Sequence, residues 1–199
     1  MDSKNKPLII GVSLIALAVV MLVVIMYVRG RDNQNNTSKF KTAADAKTMI
    51  KSIYNDLGDT LPALEFQGIN DSTDAWKYYT GLSDSSNVDY IVISEPLMNA
   101  QAYSLVVLKV KDTSKIESMK QEMYDNIDMA KWICVSADKM YITNSDDIIF
   151  MVMASEDWAT PVYNSFKKYV NNNIGKELTK TENGSTNLPG EMTDVEPVA

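Results

Sequence analysis

Ala102–Lys111, AYSLVVLKVK, and Asp147–Ala154, DIIFMVMA, are the two runs on which the fold turns. Both are rich in β-branched and large apolar residues and bounded by turn formers, and each leads through a short polar link into a helical pattern. They read as strands that feed helices. Val88–Ser94, VDYIVIS, reads as a third strand, apolar enough for burial on both faces, and Lys139–Thr143 as a fourth, joined to Asp147–Ala154 by a turn at Asn144-Ser145-Asp146.

Working outward, Ala46, Met49, Ile50, Ile53, Tyr54 and Leu57 recur at helical spacing after a start at Thr42 and Asp45, and Gly58 stops them. Leu61–Asn87 is irregular, punctuated by Pro62, Gly68 and Gly81, with a short helical turn over Ala75–Tyr79 after Ser72. Ser114-Lys115-Ile116-Glu117 has the form of a capping box, behind which Ile116, Met119, Met123, Ile127 and Ala130 line one helical face. Thr160-Pro161 has the form of an N-cap and first helical position, and Ala159, Val162, Tyr163, Phe166, Tyr169 and Val170 supply the stripe of a last helix. The order is helix, strand, strand, helix, strand, strand, helix. SLVVLKVKDTSKIESM also resembles DIIFMVMASEDWATPV, which suggests two strand-strand-helix units side by side. The expected fold is α+β: an N-terminal transmembrane helix, then a single domain with a four-stranded antiparallel sheet and helices packed on one face.

The transmembrane expectation rests on residues 8–28, LIIGVSLIALAVVMLVVIMYV, 21 uncharged residues. At about 1.5 Å per residue they reach about 31 Å, the thickness of a bilayer's hydrocarbon core. A cleaved signal has a shorter apolar region followed by small residues, whereas Met26-Tyr27-Val28-Arg29 follows here. Residues 1–31 carry a net charge of +3 and the remainder −10. A short basic start, a span and an acidic domain make a signal anchor, with the N-terminus in the cytosol and the C-terminal domain outside the membrane. The chain thus divides into a cytoplasmic N-terminus (1–7), an anchor (8–28), a polar tether (29–39), an extracytoplasmic domain (40–174) and a disordered tail (175–199), the last too poor in apolar residues to offset its own ordering.

Composition narrows the chemistry. The 199 residues contain no histidine and one cysteine, which excludes Ser-His-Asp and Cys-His catalysis, histidine-ligated metals and an internal disulfide. A formal charge of −7 argues against nucleic acid as a partner. No phosphate, metal or cofactor motif is present in the sequence, and no cofactor is expected.

The segments YIVISEPLMNAQAYSLVVLKVKD, KIESMKQEMYDNIDMAKW and VSADKMYITNSDDIIFMVMASED, within about residues 44–170, resemble an uncharacterised family of small membrane-anchored or lipidated envelope proteins of clostridia and related Firmicutes. The resemblance implies a bacterial source and an extracytoplasmic domain, and no activity. The chain departs from lipidated members of that family in having no cysteine after the apolar run.

Glu95, Leu97, Met98 and Asn99 are the candidate partner-binding residues. They belong to Glu95–Gln101, a connection longer than a tight hairpin requires, and long connections on a rigid sheet often carry recognition. Its alternative role is packing, with Leu97 and Met98 tucked under a helix. Asp146, Asp147 and Asp138 read as turn carboxylates, Cys134 as a buried thiol in an apolar setting, and Trp76, Tyr78 and Tyr79 as packing rings or as a stacking surface for sugars. The functional expectation is a noncatalytic binding or assembly module of the bacterial envelope. Its partners are the lipid bilayer through residues 8–28 and an envelope protein or glycan. The alternatives are an enzyme acting on glycans with two of Glu95, Asp138, Asp146 and Asp147, and a sensor coupled through its span, where Gly11, Ser13 and Ala16 offer small residues for helix contact.

The full-length protein should pellet with membranes and stay there through high-salt and carbonate washes, coming off only with detergent, because lipid burial of 21 apolar residues far exceeds what a surface charge patch supplies. Release by salt alone would contradict the anchor.

Overall fold

The computed structural model describes residues 38–98 and 100–181, together with Met21. The expected span therefore falls, apart from Met21, outside the described residues, among which no helix is long and apolar enough to cross a membrane. Between residues 38 and 181 the described residues form four α-helices and six strands: α1 (Ala43–Leu57), β1 (Leu64–Gln67), α2 (Thr73–Thr80), β2 (Val88–Pro96), β3 (Tyr103–Val110), α3 (Ile116–Asn126), β4 (Lys139–Ser145), β5 (Ile148–Ala154), α4 (Glu156–Tyr169) and β6 (Leu178–Thr181). The strands form one sheet in the order β1-β2-β3-β5-β4-β6, antiparallel at every pairing.

The class and the antiparallel pairing agree with the sequence reading, but the expected sheet of four strands with helices on one face is wrong in two respects. The sheet has six strands, and helices cover both its faces. On one face, Val106, Leu108, Ile149, Met151 and Met153 meet Trp76 of α2 and Ile116, Met119 and Met123 of α3. On the other, Leu105, Val107, Phe150 and Val152 meet Met49, Ile50 and Ile53 of α1 and Val162, Tyr163 and Phe166 of α4. Central β3 and β5 are consequently apolar on successive residues, as strands buried on both faces must be.

Chain direction explains the second face. The connection β3-α3-β4 moves the chain two places across the sheet to a parallel strand, and β5-α4-β6 does the same in the same direction. Because β3 and β5 run antiparallel, two crossovers of one hand place their helices on opposite faces. The two strand-strand-helix units are thus not a side-by-side repeat. Recognising this requires β6, whose four residues LTKT lie in the stretch assigned to the tail.

Local chemistry sets the element ends. Thr42 caps α1 through a capping box with Asp45, and Gly58 closes that helix at φ +58°. Ser114 makes no such box: Asp112 accepts from Ser114 N, a 3-10 turn intervenes, and Glu117 pairs with Lys120 at 2.7 Å. α4 starts five residues before Pro161, where the Ser155 carbonyl accepts from Trp158 and Ala159 and Glu156 and Asp157 make an acidic first turn, so Pro161 lies inside the helix. In β2, Val88 and Tyr90 oppose the adjacent Val110 and Lys109, a bulge at Asp89 that brings Val88 and Ile91 to one face.

β6 is held by an interior lysine. The fully buried Lys120 of α3 donates to Asn144 Oδ1 at 2.7 Å and to the Lys176 carbonyl at 2.8 Å, and Gly175 N donates to the Asn144 carbonyl at 2.8 Å. Burial lowers the lysine's pKa against the pull of Glu117. Lys120→Met should cost about 1–3 kcal/mol in urea unfolding, the penalty of leaving buried acceptors unmet, and should speed hydrogen exchange in Leu178–Thr181 before the central strands.

Candidate functional site

Strand register places Pro96, Tyr103, Ala154, Lys139 and Thr181 at one end of the sheet. The centre of interest is the corner of that end nearest β1. Glu95 is not a loop residue: it belongs to β2, opposite Glu65 of β1, and only 8% of its surface is exposed. Its carboxylate accepts from Lys131 Nζ at 2.7 Å, and the lysine side chain is 2% exposed.

Lys131 comes from the irregular segment after α3, which crosses this end of the sheet and is closed by Ala137 N donating to the Met129 carbonyl at 2.8 Å. Its ammonium lies 4.4 Å from the centre of the Tyr78 ring, 5.0 Å from Tyr79 and 5.2 Å from Trp132, and donates to Ser104 Oγ at 3.3 Å. Three ring faces, a carboxylate and a hydroxyl are groups that receive an organic cation, and here the chain's own lysine takes that place. Burial lowers the Lys131 pKa against the opposing pull of Glu95, and burial with the Glu95 charge raises those of Tyr78 and Tyr79. On the opposite face of β2, Tyr54 of α1 donates to Ser94 Oγ at 2.9 Å and accepts from Tyr103 at 3.1 Å; burial pushes its phenol up to about 12. The strand end is therefore clamped by polar contacts from both sides.

Beyond this clamp the chain turns outward. Leu97 is 61% and Met98 67% exposed, which removes the packing role considered for them, and Asn99 lies outside the described residues. Tyr78 and Ile133 are also exposed, the first touching Lys131 and the second two residues from it. Trp76, in contrast, packs into the core on the α2–α3 face.

The expectation of a buried Cys134 is corrected. α3 stops at Asn126, so the helical face inferred through Ala130 is not continuous, and in the following segment Trp132 turns inward while Ile133 and Cys134 turn out. Cys134 has φ +63° and lines a shallow depression with Ala130, Trp132, Val135 and Ser136.

The remaining carboxylates are dispersed. Asp138 precedes β4 at the same end of the sheet as Glu95 but four strands' order away from β1, whereas Asp146 and Asp147 form the β4–β5 turn at the far end. There Asp147 pairs with Lys109, and Asp146 accepts from Asn173 at 3.0 Å. Among the described residues, no group of three or more Asp, Glu or Cys side chains is arranged to hold a metal ion.

Lys131 carries no motif, and sequence reasoning passed over it; the available signal was its place in an apolar, aromatic setting, Met129 to Val135, where a lysine needs a partner. Comparison with known proteins returns no matching family model, no matching curated protein and no matching solved structure.

Glu95→Gln should cost about 3 kcal/mol or more, since it leaves Lys131 buried without a counter-charge, whereas Glu95→Gln combined with Lys131→Met should cost less than either change alone. Equilibrium unfolding of the four proteins of this cycle gives the comparison. A lowered lysine pKa means that the folded state releases this proton first, so its contribution to stability rises with pH from the folded value to the unfolded one, and Lys131→Met should remove that rise.

Proposed function

We propose that the chain is a membrane-tethered, noncatalytic binding module of a bacterial cell envelope whose contact surface is the end of the sheet marked by Leu97 and Met98. The observation that carries this reading is the grouping of exposed apolar side chains. Leu97 and Met98 lie two and three residues beyond Glu95, the Tyr78 ring lies under the Lys131 ammonium and Ile133 lies two residues from Lys131, so all four are tied by contact or by short chain distance to one buried ion pair. An exposed apolar group on a rigid base is what a recognition surface needs, and solvent alone does not favour it.

The tether is supported by the apolar stretch 8–28, and the envelope by the likeness to clostridial envelope proteins. A noncatalytic role is supported by the engagement of Glu95 with Lys131 and by the length of the sheet between it and Asp146 and Asp147.

The test is site-specific photocrosslinking in native membranes, with a photoreactive residue at Met98 of the full-length protein. A discrete product should form and disappear on Leu97→Asp, while the melting temperature stays within the range of about 0.5 kcal/mol usual for exposed positions. Products shared with a probe at Tyr169, or a product indifferent to Leu97→Asp, would refute the surface.

A further inference from the structure

We infer that the partner of this surface is a basic amphipathic polypeptide segment, one that sets apolar side chains beside lysine or arginine. The inference rests on the reading of the Leu97–Met98 end as a binding surface and specifies what that surface takes. Its basis is the charge around the apolar group. Glu65 is exposed on β1 directly opposite Glu95, Asp74 is exposed one helical turn before Tyr78, and Asp128 is exposed three residues before Lys131 and acts electrostatically on both Tyr78 and Lys131.

The bias extends over the layer that covers this face. Residues 69–87 and 112–138 carry nine carboxylates and four lysines, and two of those lysines, Lys120 and Lys131, are turned into the interior. Beside the apolar group itself the exposed carboxylates are Glu65, Asp74 and Asp128; Lys77 is exposed next to Tyr78, and Lys47 and Lys51 of α1 rest on the Phe66 ring of β1. A negative rim around apolar anchors steers cationic partners in and repels anionic ones, including acidic lipid headgroups and nucleic acid. An apolar segment with basic flanks satisfies both features, its side chains covering Leu97, Met98, Tyr78 and Ile133 while its cations face Glu65, Asp74 and Asp128.

The experiment uses the full-length protein in phosphatidylcholine nanodiscs and three fluorescent 18-residue amphipathic peptides that share one leucine face and carry lysine, glutamine or glutamate on the other. Anisotropy should rank lysine at least tenfold tighter than glutamine and glutamate weakest, with the lysine preference shrinking as salt rises. Leu97→Asp should weaken the lysine peptide at least tenfold. Glu65→Lys should weaken it severalfold, and Asp89→Lys, the same charge change at the bulge near the other end of β2, should not.

Equal binding of the three peptides, all lost on Leu97→Asp, would overturn the basic partner and leave the surface standing. A lysine preference that Glu65→Lys and Asp89→Lys weaken alike would reduce the effect to net charge and overturn the inference. Binding indifferent to Leu97→Asp would overturn the surface itself. Leu97-dependent flotation with phosphatidylglycerol vesicles would replace the polypeptide by lipid and overturn the inference too.

Discussion

Everything in this domain depends on the pairing of β3 with β5. The seven register pairs from Tyr103↔Ala154 to Lys109↔Ile148 form the middle of a sheet whose two faces are both covered. Each fully buried Leu, Ile, Val, Phe or Met side chain along them contributes about 1.5–3 kcal/mol relative to exposure. β2 and β4 on either side of them also feed both layers, β2 through Ile93 on one face and Val92 on the other, and β4 through Met140 and Ile142 on one face and Tyr141 on the other. The outer strands, the crossovers and the helices are arranged by what β3 and β5 leave uncovered.

Buried polar contacts then fix what the apolar core leaves undetermined. Lys120 ties α3 to the approach of β6, Lys131 ties the segment after α3 to β2, and Lys109 pairs with Asp147 at the β4–β5 turn. Each joins segments far apart in the chain, and each places a cation on a carboxylate, which for Lys120 and Lys131 is joined by neutral oxygens of Asn144, Lys176 and Ser104. Such contacts add little net stability compared with an apolar replacement, but their directionality specifies one arrangement among several of similar burial. The exposed apolar corner is a consequence: Glu95 is drawn in by Lys131, and the residues that follow it are turned out.

Where the sequence misled, two local signals competed. Thr160-Pro161 has the form of a helix start, yet Ser155-Glu156-Asp157 supplies a cap position and an acidic first turn five residues earlier, and Pro161 is accommodated within α4. Ser114 and Glu117 have the spacing of a capping box, but Asp112 occupies Ser114 N and Lys120 occupies Glu117. Thr42 and Asp45 met no such competitor and formed their box. The length of the connection after Glu95 drew attention to it but gave no hint of the lysine 36 residues away to which it is bound.

The sequence by itself determined the α+β class, the four inner strands, the principal helices and the apolar stretch 8–28, because these are written in local periodicity and in runs of one chemical type. The tertiary structure alone decided the six-strand order, the second covered face and the make-up of the candidate site. β1 and β6 are four-residue edge strands whose LEFQ and LTKT carry no pattern of their own and become strands by pairing with neighbours. The face each helix occupies follows from chain direction and crossover hand, which no window of residues contains. The Lys131–Glu95 contact, its ring of aromatic side chains and the exposed corner around it exist only once segments from residues 78, 95, 104 and 131 meet, and that meeting is a property of the folded sheet.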